Sequence, residues 1–320
     1  MLKVKLVLVE DWTMRSTYHI CLASHEEVLH RSVEDYIYDV NCFAVAVHRT
    51  ESRALADAFM STHNHSCVQT DDVSHVARIR RNAYTRYFNA KYERTGGLGE
   101  QHCFITELKG VRRIVAAVSY VNRNPLHHGL TSTPFGYKFC SSNAIFRKEL
   151  GKGDIVPASN QWIRHRFLPR NCSLPDSFRI DESGMILQED IIDVRYVEEL
   201  YVTPRSYLYM MNRYSEEKWV KEQLAEDPLR PVVTLEMIER TVADDSVERM
   251  LSNEHGRVEL TALTDLDLCG MIDNGYVPRF GKRSVYHLTD KEKTAIGNEL
   301  WRKYRRKVSD YQVRRCLVMK

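Results

Sequence analysis

Between Tyr18 and Phe146, short runs of β-branched and aromatic residues alternate with longer stretches of helical periodicity, and this alternation limits the fold more than any other feature. Tyr18–Ala23 predicts a strand and Val33–Val47 a packed helix. The stretch Ala54–Thr70 predicts two extended segments with a bend near Ser61 and Thr62. Val73–Arg94 predicts a long helix ended by Gly96, Gly97 and Gly99. A strand over His102–Leu108 follows. Lys109–Arg123 then predicts a helix with an apolar stripe of Val111, Ile114, Val115, Val118 and Val121, which Pro125 is expected to end. This order implies an α+β domain with helices packed on an antiparallel sheet.

The domain is expected to occupy residues 1–146. Residues 147–186 are rich in Gly, Pro and Ser and read as a connector with little core of its own. Residues 187–320 read as a mainly helical extension, with a strand or turn near Gly270 to Tyr286. A hydrophobic content of 43% and a charged content of 28% exclude collagenous and disordered classes. Apolar runs such as Leu6–Val9 and Ile114–Val118 fall far short of the roughly 20 residues that span a bilayer, so no membrane role is expected. Glu10 and Asp11 cut short the only run near the start, which argues against a signal peptide and for the cytosol. Cysteines 21, 42, 67, 103, 140, 172, 269 and 316 form no CxxC pair and read as reduced thiols.

Lys and Arg total 46 against 43 Asp and Glu, so local distribution of charge carries more than the sum. Arg78, Arg80, Arg81, Arg86, Lys91 and Arg94 are interleaved with Tyr84, Tyr87, Phe88 and Tyr92. That mixture suits a polyanion with stackable bases, although an amphipathic helix with a solvated basic side gives the same pattern and is favoured on this feature alone. A second basic cluster holds Arg302, Arg305, Arg306, Arg314 and Arg315 within Leu288–Val318. It fits either a helix-turn-helix-like DNA contact or a basic tail docked on the chain's own acidic segment, Asp176–Glu199.

His63 and His65 share one face if their segment is a strand, and two neutral imidazoles so placed suit a divalent cation. By itself the pair is better read as two surface histidines on an edge strand. Tyr120 and Asn124 share one face of a helix at i and i+4. Were the two faces to meet, two imidazoles and an amide oxygen would form a set suited to Mg²⁺ or Mn²⁺, with a phenol nucleophile alongside. The letters His63-Asn64-His65 do not make an HNH nuclease, whose histidines lie far apart in sequence.

Four segments, Phe59-Met60-Ser61-Thr62-His63-Asn64-His65, Asn82–Asn89, Tyr120–Leu130 and Tyr137–Ser142, resemble in order and spacing the REP-associated tyrosine transposases, HUH single-stranded DNA transposases of the small insertion-sequence type. The resemblance covers roughly residues 15 to 146. It implies a ferredoxin-like sheet with the histidine pair on a central strand and Tyr120 as nucleophile on a following helix. It further implies His63, His65 and Asn124 as ligands of Mg²⁺ or Mn²⁺. The implied substrate is single-stranded or hairpin DNA, cleaved by transesterification through a 5′-phosphotyrosine without a nucleotide cofactor, in the bacterial cytosol or nucleoid. Self-association is compatible with the sequence, which does not fix the oligomeric state. The residue between the histidines is usually apolar there, so Asn64 needs hydrogen-bond partners. A domesticated protein that binds or regulates without cutting is the alternative.

Overall fold

The structure is a computed structural model that describes residues 15–158, 161–170, 172, 174–212, 216–238, 263–305 and 307–319. The Leu6–Val9 run and Arg306 lie outside the described residues. Four strands form one antiparallel sheet in the order β2-β3-β1-β4. The elements run β1 (Ser16–Ala23), α1 (Val33–Arg49), β2 (Arg53–Phe59), β3 (His63–Thr70), α2 (Val73–Tyr92), β4 (Phe104–Leu108) and α3 (Val111–His127). Strand and helix thus alternate as periodicity predicts.

Strand β3, with the sequence HNHSCVQT, lies inside the sheet and is buried at every position. A strand that polar is stable in a core only if its side chains find partners on both faces. Residues 63, 65 and 67 point to one face and residues 64, 66 and 68 to the other. Helix α3 packs over β2 and β3 on the first face, and α1 and α2 pack together on the second. Pairing is in register through Cys21↔His65 and Ala58↔His65, so the position of His65 is fixed from both sides.

Local capping explains the boundaries. Ser32 and Asp35 form a capping box at α1, and Asp72 accepts from the His75 N–H at 2.9 Å to start α2. Helix α2 ends at Tyr92, where Glu93 itself takes the left-handed conformation, so the glycines shape the loop beyond it rather than the cap. Gly99 is required there, because a Cβ would sit 2.8 Å from the Ala23 carbonyl oxygen. Pro125 lies inside α3 rather than after it. In the last turn few backbone bonds remain to be broken, and the chain leaves through Gly129 with the Leu130 N–H bonded to the Pro125 carbonyl at 2.9 Å. Val111, expected on the apolar stripe, is 52% exposed; the buried stripe starts at Ile114.

Downstream helices α4 (Val194–Tyr201), α5 (Pro204–Asn212) and α6 (Glu216–Glu226) cover α3. Ile180, Ile186, Val197, Tyr201, Tyr207, Met211 and Trp219 share the hydrophobic core of the sheet. The Glu226 carboxylate accepts from the Arg112 N–H and so caps α3, whose own N-cap, Gly110, has no side chain to do it. Helices α7 (Asp265–Met271), α8 (Asp290–Tyr304) and α9 (Asp310–Cys316) build a second core with Val28. It docks through Arg31, which is bidentate to Asp273 at 2.8 Å and also donates to the Cys316 carbonyl. No described helix is long and apolar enough to cross a membrane, and all eight cysteines are unbridged.

Candidate functional site

The face of β3 that carries His63 and His65 meets the face of α3 that carries Tyr120 and Asn124. Asn124 Nδ2 donates to the Tyr120 phenol oxygen at 3.1 Å, and Asn124 Oδ1 lies 3.1 Å from His63 Nε2. His63 and His65 rings are 5.1 Å apart, and the His65 ring is 6.0 Å from that of Tyr120. Spacing of i and i+4 on one helix and i and i+2 on one strand is what brings four side chains to one spot. The edge-strand reading of the histidines is therefore corrected: both are buried on an interior strand.

Four further groups complete the site. His19 of β1 places Nε2 3.0 Å from His65 Nδ1, and Thr62 Oγ1 lies 3.0 Å from His63 Nδ1. The rings of His128 and His63 are 4.6 Å apart, and those of His127 and Tyr120 are 6.1 Å apart. Burial pushes His19 down to about 3, so it is a neutral imidazole at physiological pH. His127 and His128 sit at i+7 and i+8 from Tyr120, a helical spacing visible in the sequence. His19 has no such signal, being a single histidine in an apolar strand.

Two imidazoles and a carboxamide oxygen are lone-pair donors of the kind that ligate divalent cations. Among the described residues no group of three or more His, Cys, Asp or Glu side chains is placed to hold a metal ion. The site is closed from solvent: Tyr120 is 4% exposed, and Trp219 of α6, itself 2% exposed, places its ring 6.5 Å from the phenol ring.

On the opposite face, Asn64 finds the partner its burial demands. Its Oδ1 accepts from Arg80 Nη1 at 2.8 Å, and Arg80 is bidentate to Asp39 through Nε at 3.0 Å and Nη2 at 2.7 Å. His30 links Asp39, at 3.0 Å, to the Met60 carbonyl, at 2.8 Å, in the turn that leads into β3. Burial opposes ionisation of Asp39, but Arg80 and His30 outweigh it and hold its carboxyl below the ordinary range.

This arrangement corrects the expected DNA-contacting set on α2. Arg80 is buried in that ion pair; Tyr84 donates to the Leu29 carbonyl at 2.6 Å. Tyr87 stacks on Tyr38 at 3.8 Å and bonds Asp35, which also pairs with Lys91 at 2.7 Å. Arg80, Tyr87 and Lys91 tie the helix to α1 and Tyr84 ties it to the chain before α1, so their polar atoms are engaged within the protein. Arg78 and Arg86 are exposed and Arg81 half-buried, and all three line a cleft of about 690 Å³ with Asn82 and His102 between α2 and β4. That cleft lies on the face of the sheet away from Tyr120. In the second basic cluster Arg302, Arg305 and Arg314 are exposed, whereas Arg315 is buried in an ion pair with Asp265 at 2.8 Å. The tail's buried charge thus meets Asp265 rather than the Asp176–Glu199 segment, where Arg179 pairs with Asp190 at 2.7 Å.

No protein-family model matches the chain, and no curated protein matches it either. Among solved structures, one described as a REP-associated tyrosine transposase bound to a REP hairpin aligns over 45% of this chain and 89% of its own, with 14% identity and a TM-score of 0.35.

Proposed function

We propose that the protein is a metal-dependent single-stranded DNA transesterase of the HUH tyrosine transposase or nickase type. The carrying observation is the pair of 3.1 Å contacts that ties the Tyr120 phenol to His63 through Asn124. The βαββαβ element order with strand order β2-β3-β1-β4 supports a ferredoxin-like catalytic domain in residues 1–146, with the later helices as an extension.

In this reading His63, His65 and Asn124 hold Mg²⁺ or Mn²⁺, which when bound polarises the phosphodiester and offsets developing charge. The Tyr120 oxygen attacks phosphorus in line, the bond from phosphorus to the 3′-oxygen breaks, and a 5′-phosphotyrosine forms with release of a 3′-hydroxyl that takes up the proton lost by the phenol. The Asn124 amide, donating to the phenol oxygen, favours its anionic form. Bond energy is conserved in the tyrosyl ester, so the reaction takes no nucleotide cofactor. Arg78, Arg81, Arg86, Arg302, Arg305 and Arg314 supply phosphate contacts. A strand reaches Tyr120 only when α6 withdraws Trp219.

The closure of the site favours a second reading, a DNA-binding or regulatory protein that no longer cuts. One experiment separates them: wild type and Tyr120→Phe are incubated with hairpin-bearing single-stranded oligonucleotides and Mn²⁺, and covalent adducts are resolved on denaturing gels. Adducts with wild type alone support the transesterase. Binding by both proteins without adducts from either supports the regulatory protein.

A further inference from the structure

Every proton on the buried imidazoles has to be placed, and one pair of atoms decides how. Strands β1 and β3 pair with Cys21 opposite His65 and His19 opposite Cys67, so His19 is the diagonal neighbour of His65 on the same face. The two rings stack with centroids 5.1 Å apart and planes 28° from parallel, and His19 Nε2 faces His65 Nδ1 at 3.0 Å. Both rings are fully buried. Two imidazole nitrogens facing each other at that distance share one proton between them.

Where that proton sits fixes the chemistry of His65. On His65 Nδ1, it leaves His65 Nε2 with a lone pair able to ligate a cation and places the proton of His19 on its Nδ1. On His19 Nε2, it forces His65 to carry its own proton at Nε2, and the ring then has no nitrogen to offer. His63 is fixed differently: in the metal-free protein its Nε2 donates to the Asn124 amide oxygen, which only accepts, and its Nδ1 takes the Thr62 hydroxyl hydrogen. From the contact between His19 Nε2 and His65 Nδ1 we infer that His19 is a positioning residue: it accepts the His65 Nδ1 proton and so keeps His65 in the ligating tautomer and orientation. The inference rests on the metal-dependent reading above. Groups that orient a ligating histidine through its other nitrogen typically alter metal affinity about 10–100-fold when removed.

The test uses the full chain with histidines labelled with ¹⁵N. His19→Phe keeps the ring volume and removes the acceptor; His19→Gln returns an amide oxygen near the position of Nε2. The metal-free wild type is expected to hold His65 as the Nδ1–H tautomer by two-dimensional ¹⁵N NMR, and His19→Phe to shift it to Nε2–H. Mn²⁺ affinity, measured by calorimetry, is expected to fall about 10–100-fold in His19→Phe and to recover in His19→Gln. A wild-type His65 protonated at Nε2, or equal Mn²⁺ affinity for wild type and His19→Phe, overturns the inference. If wild type takes up no Mn²⁺ the metal reading fails, and the tautomer of wild-type His65 still decides the role of His19. Should His19→Phe not fold, the wild-type tautomer alone decides between the same two outcomes.

Discussion

The two faces of β3 carry polar clusters of similar size that do opposite work. On the α2 face, His30, Asp39, Arg80 and Asn64 form a chain in which a full negative charge meets a full positive one through two hydrogen bonds. On the α3 face, His19, His63, His65, Asn124 and Tyr120 form a cluster containing no carboxylate and no guanidinium. Opposite charges that satisfy each other leave nothing to bind and act as a brace for the strand. Lone pairs and a phenol gathered in a dry site carry no charge of their own, and in the proposed function a cation and a phosphate supply it. Burial and polarity alone do not distinguish the two clusters; the presence of an internal pair of opposite charges does.

The sharpest way to break this comparison is to disable each face separately. His63→Gln and His65→Gln are expected to lower adduct formation to background while salt-sensitive DNA binding and the melting temperature stay close to wild type. If either variant cleaves normally, the histidine face has no part in the chemistry. Asp39→Ala is expected to show the reverse. It strands the buried Arg80 guanidinium, which typically costs about 3–5 kcal/mol, read as a lower urea midpoint. A double variant, Asp39→Ala with Arg80→Met, is expected to recover part of that loss, since the uncompensated charge is gone.

Much of the frame was legible because it follows from periodicity. Strands and helices from β1 to α3 fall where alternation and helical spacing put them, and Tyr120 with Asn124 is readable as one face of a helix. The buried side of α2 was encoded as well: Val76, Arg80, Tyr84, Phe88 and Tyr92 recur every fourth residue, so the arginine on the aromatic stripe is the one that cannot face solvent. Basic composition obscured that spacing. Two site groups were not legible at all. His19 lies 46 residues from His65 in sequence, and only the β1–β3 register brings it there. Trp219 comes from a helix whose pattern gives no hint of the phenol it covers.

Asp57 sharpens the comparison through pH. It is fully buried on the α2 face, and burial pushes its carboxyl up to about 7, with Arg80 opposing the shift. A carboxyl raised in the folded state binds a proton that the unfolded chain has already released, so stability declines as pH rises from about 4 through about 7. Asp57→Asn is therefore expected to be more stable than wild type at pH 8, by up to a few kcal/mol, with the advantage vanishing near pH 4. Thermal melts across that range check it. An advantage that grows toward acid pH would place Asp57 in an ion pair and return this corner of the face to the brace.

The smallest effects concern the exposed cations and test whether the buried and exposed members of each basic cluster have separate tasks. Each phosphate contact contributes about one unit to the slope of log affinity against log salt. Arg302→Ala and Arg305→Ala, both on the open side of the second core, are expected to reduce that slope by about one each and to leave the melting temperature alone. The same holds for Arg78→Ala and Arg86→Ala beside the cleft on α2. Arg315→Ala is expected to lower the melting temperature without altering the slope, because its guanidinium is already engaged by Asp265. The cleft and Tyr120 occupy opposite faces, so a strand held by Arg78 and Arg86 must pass the β4 edge to reach the phenol. Oligonucleotides too short to make that passage should lose the contribution of Arg78 and Arg86 while still forming adducts, and a slope unaffected by oligonucleotide length would remove the cleft from the DNA path.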